Sequence, residues 1–206
     1  MKNQEFVWNK LYEEGLFWKK NTMDIKEIIY KKSVLELGVG NGKTLKTILS
    51  QKPKEVVALD ISQEALKKAK ESIKSDKIIF LKSDILSLNI NKKFDIIVCY
   101  YFLNNFKKKN RIKVIKKIKS LLKQNGTILF EDFAVGDFRA KRYIKKIEKN
   151  TIQKQNGLIC HFFEKDEIID LFNDFKNIKI EEKTFKPIRR DSSIKRKIIK
   201  ATIRAR

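Results

Sequence analysis

The chain has 206 residues, 42% of them hydrophobic, which suits one α/β domain with a full core and leaves little room for a second. No apolar run approaches the ~20 residues of a membrane helix, two cysteines make no disulfide framework, and a single histidine leaves a zinc site or a Ser-His-Asp triad almost nothing to build on. The balance of 48 Lys+Arg against 25 Asp+Glu, a net +23, has two readings: a phosphate-backbone partner, or lysine enrichment from an AT-rich genome.

The polar start, Met1-Lys2-Asn3-Gln4-Glu5, does not read as a signal peptide, so the expected location is the cytoplasm, with no membrane and no metal. Residues 3–30 carry Phe6, Trp8, Leu11, Tyr12, Phe17 and Trp18, then Ile25, Ile28 and Ile29: a leading helix, a break at Gly15 and a second helix. Residues 33–37 form a short apolar strand that runs into glycines, and 44–49 a helix that stops near Pro53. A second strand over 56–59 ends in Asp60, and Ser62 caps a helix over 63–72. Strands follow at 78–81 and 94–99. Val114, Ile115, Ile118, Leu121 and Leu122 mark a helix over 107–123 that Gln124-Asn125-Gly126 ends before a fifth strand at 127–130. Beyond Glu131 the pattern loosens into a lysine-rich stretch over 137–156, a helix over 165–175, and two strands, 178–185 and 194–203, spaced to pair as an antiparallel hairpin.

Strands alternating with helices at this spacing predict βαβ units and a parallel sheet. The expectation is one α/β domain over 1–206: a helical cap at 1–32, a ligand-binding core at 33–130, and a substrate-side region with the closing hairpin at 131–206. The central motif is Val34-Leu35-Glu36-Leu37-Gly38-Val39-Gly40-Asn41-Gly42-Lys43-Thr44. Glycines at alternate positions after a buried strand let backbone turn sharply and approach a ligand closely. A dinucleotide fingerprint needs a glycine at 43, where Lys43 stands; a P-loop counted back from Gly42 needs one at 37, where Leu37 stands.

The spacing Glu36-x-Gly38-x-Gly40-x-Gly42 instead resembles the first motif of the class I, Rossmann-like S-adenosylmethionine methyltransferases. The resemblance extends through Val56-Val57-Ala58-Leu59-Asp60-Ile61, Phe80-Leu81-Lys82-Ser83-Asp84-Ile85, Phe94-Asp95-Ile96-Ile97-Val98-Cys99-Tyr100 and Gln124-Asn125-Gly126-Thr127. It implies a doubly wound, mostly parallel sheet with helices on both faces. It also implies S-adenosylmethionine as cofactor, held by Glu36 at the methionine ammonium, by Gly38, Gly40, Asn41 and Gly42 along the backbone, and by Asp60 at the ribose hydroxyls. Ile61, Asp84 and Ile85 would lie at the adenine and Cys99 and Tyr100 beside the methyl, with Trp18 closing the pocket. Each acid stands where an open α/β sheet binds its ligands, at the carboxyl end of a strand.

The acceptor is read from what remains, because this fold modifies nucleic acids, proteins and small molecules alike. Residues 107–123 hold nine basic side chains and no acidic one, and 183–206 hold ten against Asp191, the last strand offering a basic outer face as a phosphate track. Glu131-Asp132-Phe133-Ala134-Val135-Gly136-Asp137-Phe138-Arg139, followed by Gly157-Leu158-Ile159-Cys160-His161-Phe162-Phe163, resembles the tRNA 3-methylcytidine methyltransferase branch. A similar closing layout belongs to the wobble-uridine enzymes. The resemblance makes a tRNA base the first acceptor, with a small molecule and then a protein as alternatives. Substrate-side candidates are Tyr101, Asp137, Arg139, Arg189 and Arg190; Asp132 and His161 are the polar candidates for catalysis, though a lone histidine between Cys160 and Phe162 also reads as a core residue.

Overall fold

The computed structural model describes residues 4–15, 25, 28–185 and 195–206. Helix α1 is Gln4–Glu13; then come β1 (Ser33–Leu37), α2 (Lys43–Ser50), β2 (Glu55–Asp60), α3 (Gln63–Ser72), β3 (Ile78–Lys82) and β4 (Phe94–Tyr100). The chain continues with α4 (Lys108–Leu121), β5 (Leu122–Phe133), β6 (Lys145–Glu148), β7 (Thr151–Gln153), β8 (Ile159–His161), α5 (Lys165–Leu171), β9 (Asn177–Phe185) and β10 (Arg196–Arg204). A seven-stranded sheet takes the order β3-β2-β1-β4-β5-β10-β9, and a second sheet the order β6-β7-β8. The chain groups into two compact units, residues 1–98 with 121–123, and residues 99–120 with 124–206.

In the first unit β1 pairs in parallel with β2, and β2 with β3. All five residues of β1 and five of six in β2 are buried, which is why both are mainly apolar: an interior parallel strand is covered on both faces. At the edge, β3 leaves Ile79 exposed. Ser62 caps α3 as its sequence predicts, its hydroxyl accepting from the Ala65 N–H at 3.1 Å. Ser33, at the start of β1, donates to Asp95 of β4 from its backbone N–H (2.8 Å) and its hydroxyl (2.7 Å), and Lys123 adds an ion pair at 3.0 Å. Partial burial opposes ionisation of Asp95, but these donors prevail and hold its carboxyl at about 2.

In the second unit β10 runs antiparallel between β5 and β9, with Ile199 opposite Asp132 and Ala201 opposite Phe130. The expected closing hairpin is present. Phe130 packs edge-on against Phe163 (5.3 Å between centroids) and Phe172 (6.2 Å), and Phe172 against Phe175. Those contacts explain why α5 ends at Leu171, short of the expected residue 175: Phe172 and Phe175 leave the helix to fill this core. Two other boundaries differ. β5 starts directly after α4 and runs through Gln124-Asn125-Gly126, with Asn125 at φ 58°, so these residues kink a strand rather than precede one. The lysine-rich stretch folds a 3-10 turn, Phe138–Lys141, and most of the small antiparallel sheet.

Candidate cofactor and acceptor sites

The glycine loop leaves β1 by bonding to the end of β2: the N–H groups of Gly38 and Val39 both donate to the Leu59 carbonyl, at 2.8 and 3.0 Å. Gly38, Gly40 and Gly42 all have positive φ (70°, 55° and 82°), which a side chain would strain. At Gly40 space is limiting as well, since a Cβ would sit 2.5 Å from the Tyr12 hydroxyl. Gly42 begins α2 in the left-handed conformation.

Asp60 closes β2 with its carboxylate aimed along this loop. One oxygen accepts from the Gly40 N–H at 2.8 Å, the other from Ser62 N–H at 2.9 Å. Burial raises the Asp60 pKa, against the lowering effect of the N–H groups of Ser62, Gly40 and Ile61. Glu36 is more extreme. Its side chain is 3% exposed and its Oε2 has no hydrogen-bond partner among the described residues; burial and then the Asp60 charge push its carboxyl well above the carboxylate range. Two buried acids and an orphaned oxygen beside a loop that admits no side chain fit a cationic, hydroxyl-bearing ligand such as the aminoacyl and ribose parts of S-adenosylmethionine. Asp84, half-buried after β3, accepts from the Leu86 N–H at 2.9 Å; Ile85 beside it is buried. Ile61 and Asn41 are half-buried in the same unit.

Helix α1 contributes what the motif spacing did not assign. Asn9 accepts the Ser62 hydroxyl at 2.7 Å, and Tyr12 presents its hydroxyl to Gly40. Both stand in the aromatic start of the chain, yet Asn9 meets Ser62, 53 positions on, and Tyr12 meets Gly40 well beyond its own helix, so these contacts are tertiary. Trp18, Arg189 and Arg190 lie outside the described residues.

In the second unit Cys99 is buried, and burial followed by the Asp132 charge keeps it a neutral thiol. Tyr100 is half-buried. Tyr101 turns the chain at φ 50°, with its N–H bonded to the Glu131 carbonyl at 2.7 Å. Its hydroxyl donates to Glu131 and accepts from Arg196 at 2.8 Å, while Lys200 pairs with Glu131 at 2.8 Å. Two cations of β10 therefore face this network, so the phosphate track expected along that strand is shortened by Arg196 and Lys200. Arg111, among the nine basic residues expected to solvate α4, is 2% exposed and bonded to the Phe106 carbonyl and Glu167.

Asp132 is fully buried and accepts three N–H groups, from Asn104 backbone (3.0 Å) and amide (2.6 Å) and from Phe133 (2.9 Å). Burial lifts it to about 7 against those donors. His161 has both ring nitrogens engaged, Nδ1 with the Thr151 hydroxyl (2.7 Å) and Nε2 with Glu167 (2.8 Å), and burial lowers its pKa. Asp137 is buried; it holds Arg139 at 3.0 and 3.2 Å and accepts from the Lys197 N–H at 2.8 Å. Among the described residues no three His, Cys, Asp or Glu gather as metal ligands, and no helix is long and apolar enough to cross a membrane.

Comparison with known proteins bears on this arrangement directly. Residues 34–126 match the family model described as a methyltransferase domain. That stretch, similar to a methyltransferase domain, contains the glycine loop, Glu36, Asp60 and Asp84. An S-adenosylmethionine-dependent methyltransferase from Anabaena variabilis shares the fold, with a TM-score of 0.76 at 19% identity over 98% of this chain and 93% of that one. A tRNA N(3)-methylcytidine methyltransferase of Schizosaccharomyces pombe is 26% identical over 204 positions, 87% of this chain and 66% of the relative. The malonyl-[acyl-carrier protein] O-methyltransferase of Priestia megaterium is 29% identical over 108 positions, 52% of this chain and 39% of the relative. The chain thus spans between about two fifths and two thirds of the length of these two curated relatives.

Proposed function

We propose that the protein is an S-adenosylmethionine-dependent methyltransferase whose acceptor is a base of RNA, a tRNA foremost. The observation that carries the first half is Glu36 Oε2, a buried carboxyl oxygen without a hydrogen-bond partner among the described residues. A buried polar atom left unpaired persists in a fold when a ligand supplies its partner. Glu36 would hold the ammonium of the methionine part, Asp60 the ribose hydroxyls, and Asp84 with Ile85 the adenine. When bound, the cofactor supplies an electrophilic methyl group on a sulfonium. The chain's task is then to align an acceptor lone pair with that methyl and keep water out.

Asp132 and His161 take positioning roles in this reading. Asp132 fixes Asn104 and the turn after β4; His161 ties β8 to α5 through Glu167. A ring nitrogen with its own lone pair needs no general base, so fully engaged side chains here are consistent with the chemistry.

The acceptor assignment rests on reach. The likeness to the tRNA enzyme covers 87% of this chain, well past residue 126, where the domain model ends. The net charge of +23 agrees with a polyanionic acceptor. The second reading, a carrier-bound or small acceptor, is favoured by the 29% identity to the acyl-carrier-protein enzyme, confined to 52% of the chain. Incubation with methyl-labelled cofactor and total RNA, digestion to nucleosides and mass spectrometry test the proposal. A labelled nucleoside is expected; label in protein or small-molecule fractions with none in RNA would overturn it.

A further inference from the structure

The second unit contains a cleft of about 790 Å³ with an unusual lining. One side is the 3-10 turn and the residues after it, through Tyr143; the other is the β7–β8 turn at Lys154, Gln155 and Asn156. Arg139, Lys141, Arg142 and Lys154 supply four cations, and among the described residues no acidic one lines the cleft. Arg139 is neutralised, held by Asp137 and stacked between the rings of Phe133 (4.7 Å) and Phe138 (4.5 Å). Lys141, Arg142 and Lys154 form no ion pair with any described residue. Tyr143, between these cations, is 50% exposed.

The wall is built rather than loose. Lys154 N–H bonds to the Leu158 carbonyl and Gly157 N–H to the Lys154 carbonyl, each at 2.9 Å, with Gly157 at φ 84°. That turn presents the amides of Gln155 and Asn156 at the cleft. Three free cations at an exposed aromatic ring, with amides opposite, match an unpaired nucleotide: charge for phosphodiesters, a ring face for a base, amides for a base edge. A duplex would bury the base faces that the ring needs, and a neutral small acceptor would leave the cations without a purpose.

We propose that this cleft binds a single-stranded stretch of RNA, with phosphodiesters on Lys141, Arg142 and Lys154 and a base stacked on Tyr143. The inference rests on the reading that the acceptor is RNA, and its test is separable from the methyl-transfer test. The probe is a fluorescein-labelled, 12-nucleotide single-stranded RNA titrated with the full chain from 50 to 200 mM salt. Three phosphate contacts give a salt slope of about 0.7 each for a single strand, so the triple variant K141A/R142A/K154A should lose roughly 2 from the slope. Over that fourfold salt range wild type should weaken about 18-fold more than the triple variant. Tyr143→Ala should weaken binding about 5- to 150-fold with the slope unchanged, and Tyr143→Phe should restore it.

Lys141, Arg142 and Tyr143 are exposed and Lys154 is half-buried, so melting curves and S-adenosylhomocysteine affinity should stay close to wild type. An unchanged slope in the triple variant, or no effect of Tyr143→Ala, overturns the cleft assignment even if cofactor binds normally. Equal competition by a polyglutamate peptide of the same charge overturns it too, and points to an acidic protein instead. RNA binding with the expected slope in a chain that binds no S-adenosylhomocysteine would leave the cleft standing and remove the methyltransferase reading.

Discussion

Glu36→Gln separates a structural acid from a ligand-holding one, because the two roles predict opposite effects. The substitution keeps shape and removes the ionisable group from a side chain that is 3% exposed, with one oxygen unpartnered among the described residues. The folded-state pKa of Glu36 is raised, so its contribution to stability is intact below the ordinary carboxylate range and is lost as pH rises through the raised value. Glutamine abolishes that loss. The unliganded variant should therefore melt no lower than wild type, with a lead that grows as pH increases from about 4.5.

With ligand the order reverses. An ionic hydrogen bond to an ammonium contributes about 1.5–3 kcal/mol, so S-adenosylhomocysteine should bind roughly 10- to 150-fold more weakly. At a concentration of 100 times the wild-type Kd, ligand stabilises wild type by about 2.7 kcal/mol; a variant bound 30-fold more weakly gains about 0.9 kcal/mol. For a chain of this size that difference of about 1.9 kcal/mol is a melting shift smaller by roughly 4–8 °C. Scanning calorimetry with and without ligand reads both effects. A variant that melts lower without ligand and keeps the full ligand-induced shift would refute the reasoning, since Glu36 would then be a structural acid.

Other consequences follow from the same geometry. Gly40→Ala should cost about 1–2 kcal/mol from its left-handed backbone alone, plus a clash at the Tyr12 hydroxyl 2.5 Å away. Adding Tyr12→Phe should return the clash part, so denaturant melts of the four-member cycle should be non-additive; strict additivity would place Tyr12 elsewhere. Asp60→Ala should abolish tight S-adenosylhomocysteine binding while circular dichroism stays native, and an unchanged titration would remove Asp60 from the site. Asp95 titrates near 2 in the fold, so its stabilising bonds to Ser33 are present above about 3.8 and lost as pH falls toward 2. Asp95→Asn should flatten the acid limb of a stability-pH curve, and an unaltered limb would contradict the assignment. Arg111→Met should destabilise by about 3 kcal/mol by leaving Glu167 with His161 as its remaining partner, without changing cofactor affinity; a normal melt would refute a structural role.

The first unit was largely legible in the sequence. Its interior strands are short and mainly apolar, its α3 cap is a serine at the position a cap requires, and its glycines stand where positive φ is needed, so each element is specified by residues near one another. The second unit depends on pairing at a distance. Strands β6, β7 and β8 are three or four residues long and carry no clear alternation, and α5 stops because two phenylalanines are wanted in a core its own periodicity does not reveal. Side chains misread by charge follow the same rule. Arg111, Arg196 and Lys200 count as surface cations in sequence and are engaged with Glu167, Tyr101 and Glu131 in the fold. Of the site, the acids at strand ends were readable from spacing; Tyr12 at Gly40 and Asn9 at Ser62 were not, because helix α1 reaches them only through packing.

The most direct test is isothermal titration of S-adenosylhomocysteine into the purified chain. One site per chain is predicted, with affinity that weakens as pH falls and Glu36 and Asp60 take up protons. Absence of binding heat at several temperatures, with a cooperative melt showing the protein folded and no ligand-induced shift in it, would contradict the claim that this pocket holds an adenosyl sulfonium.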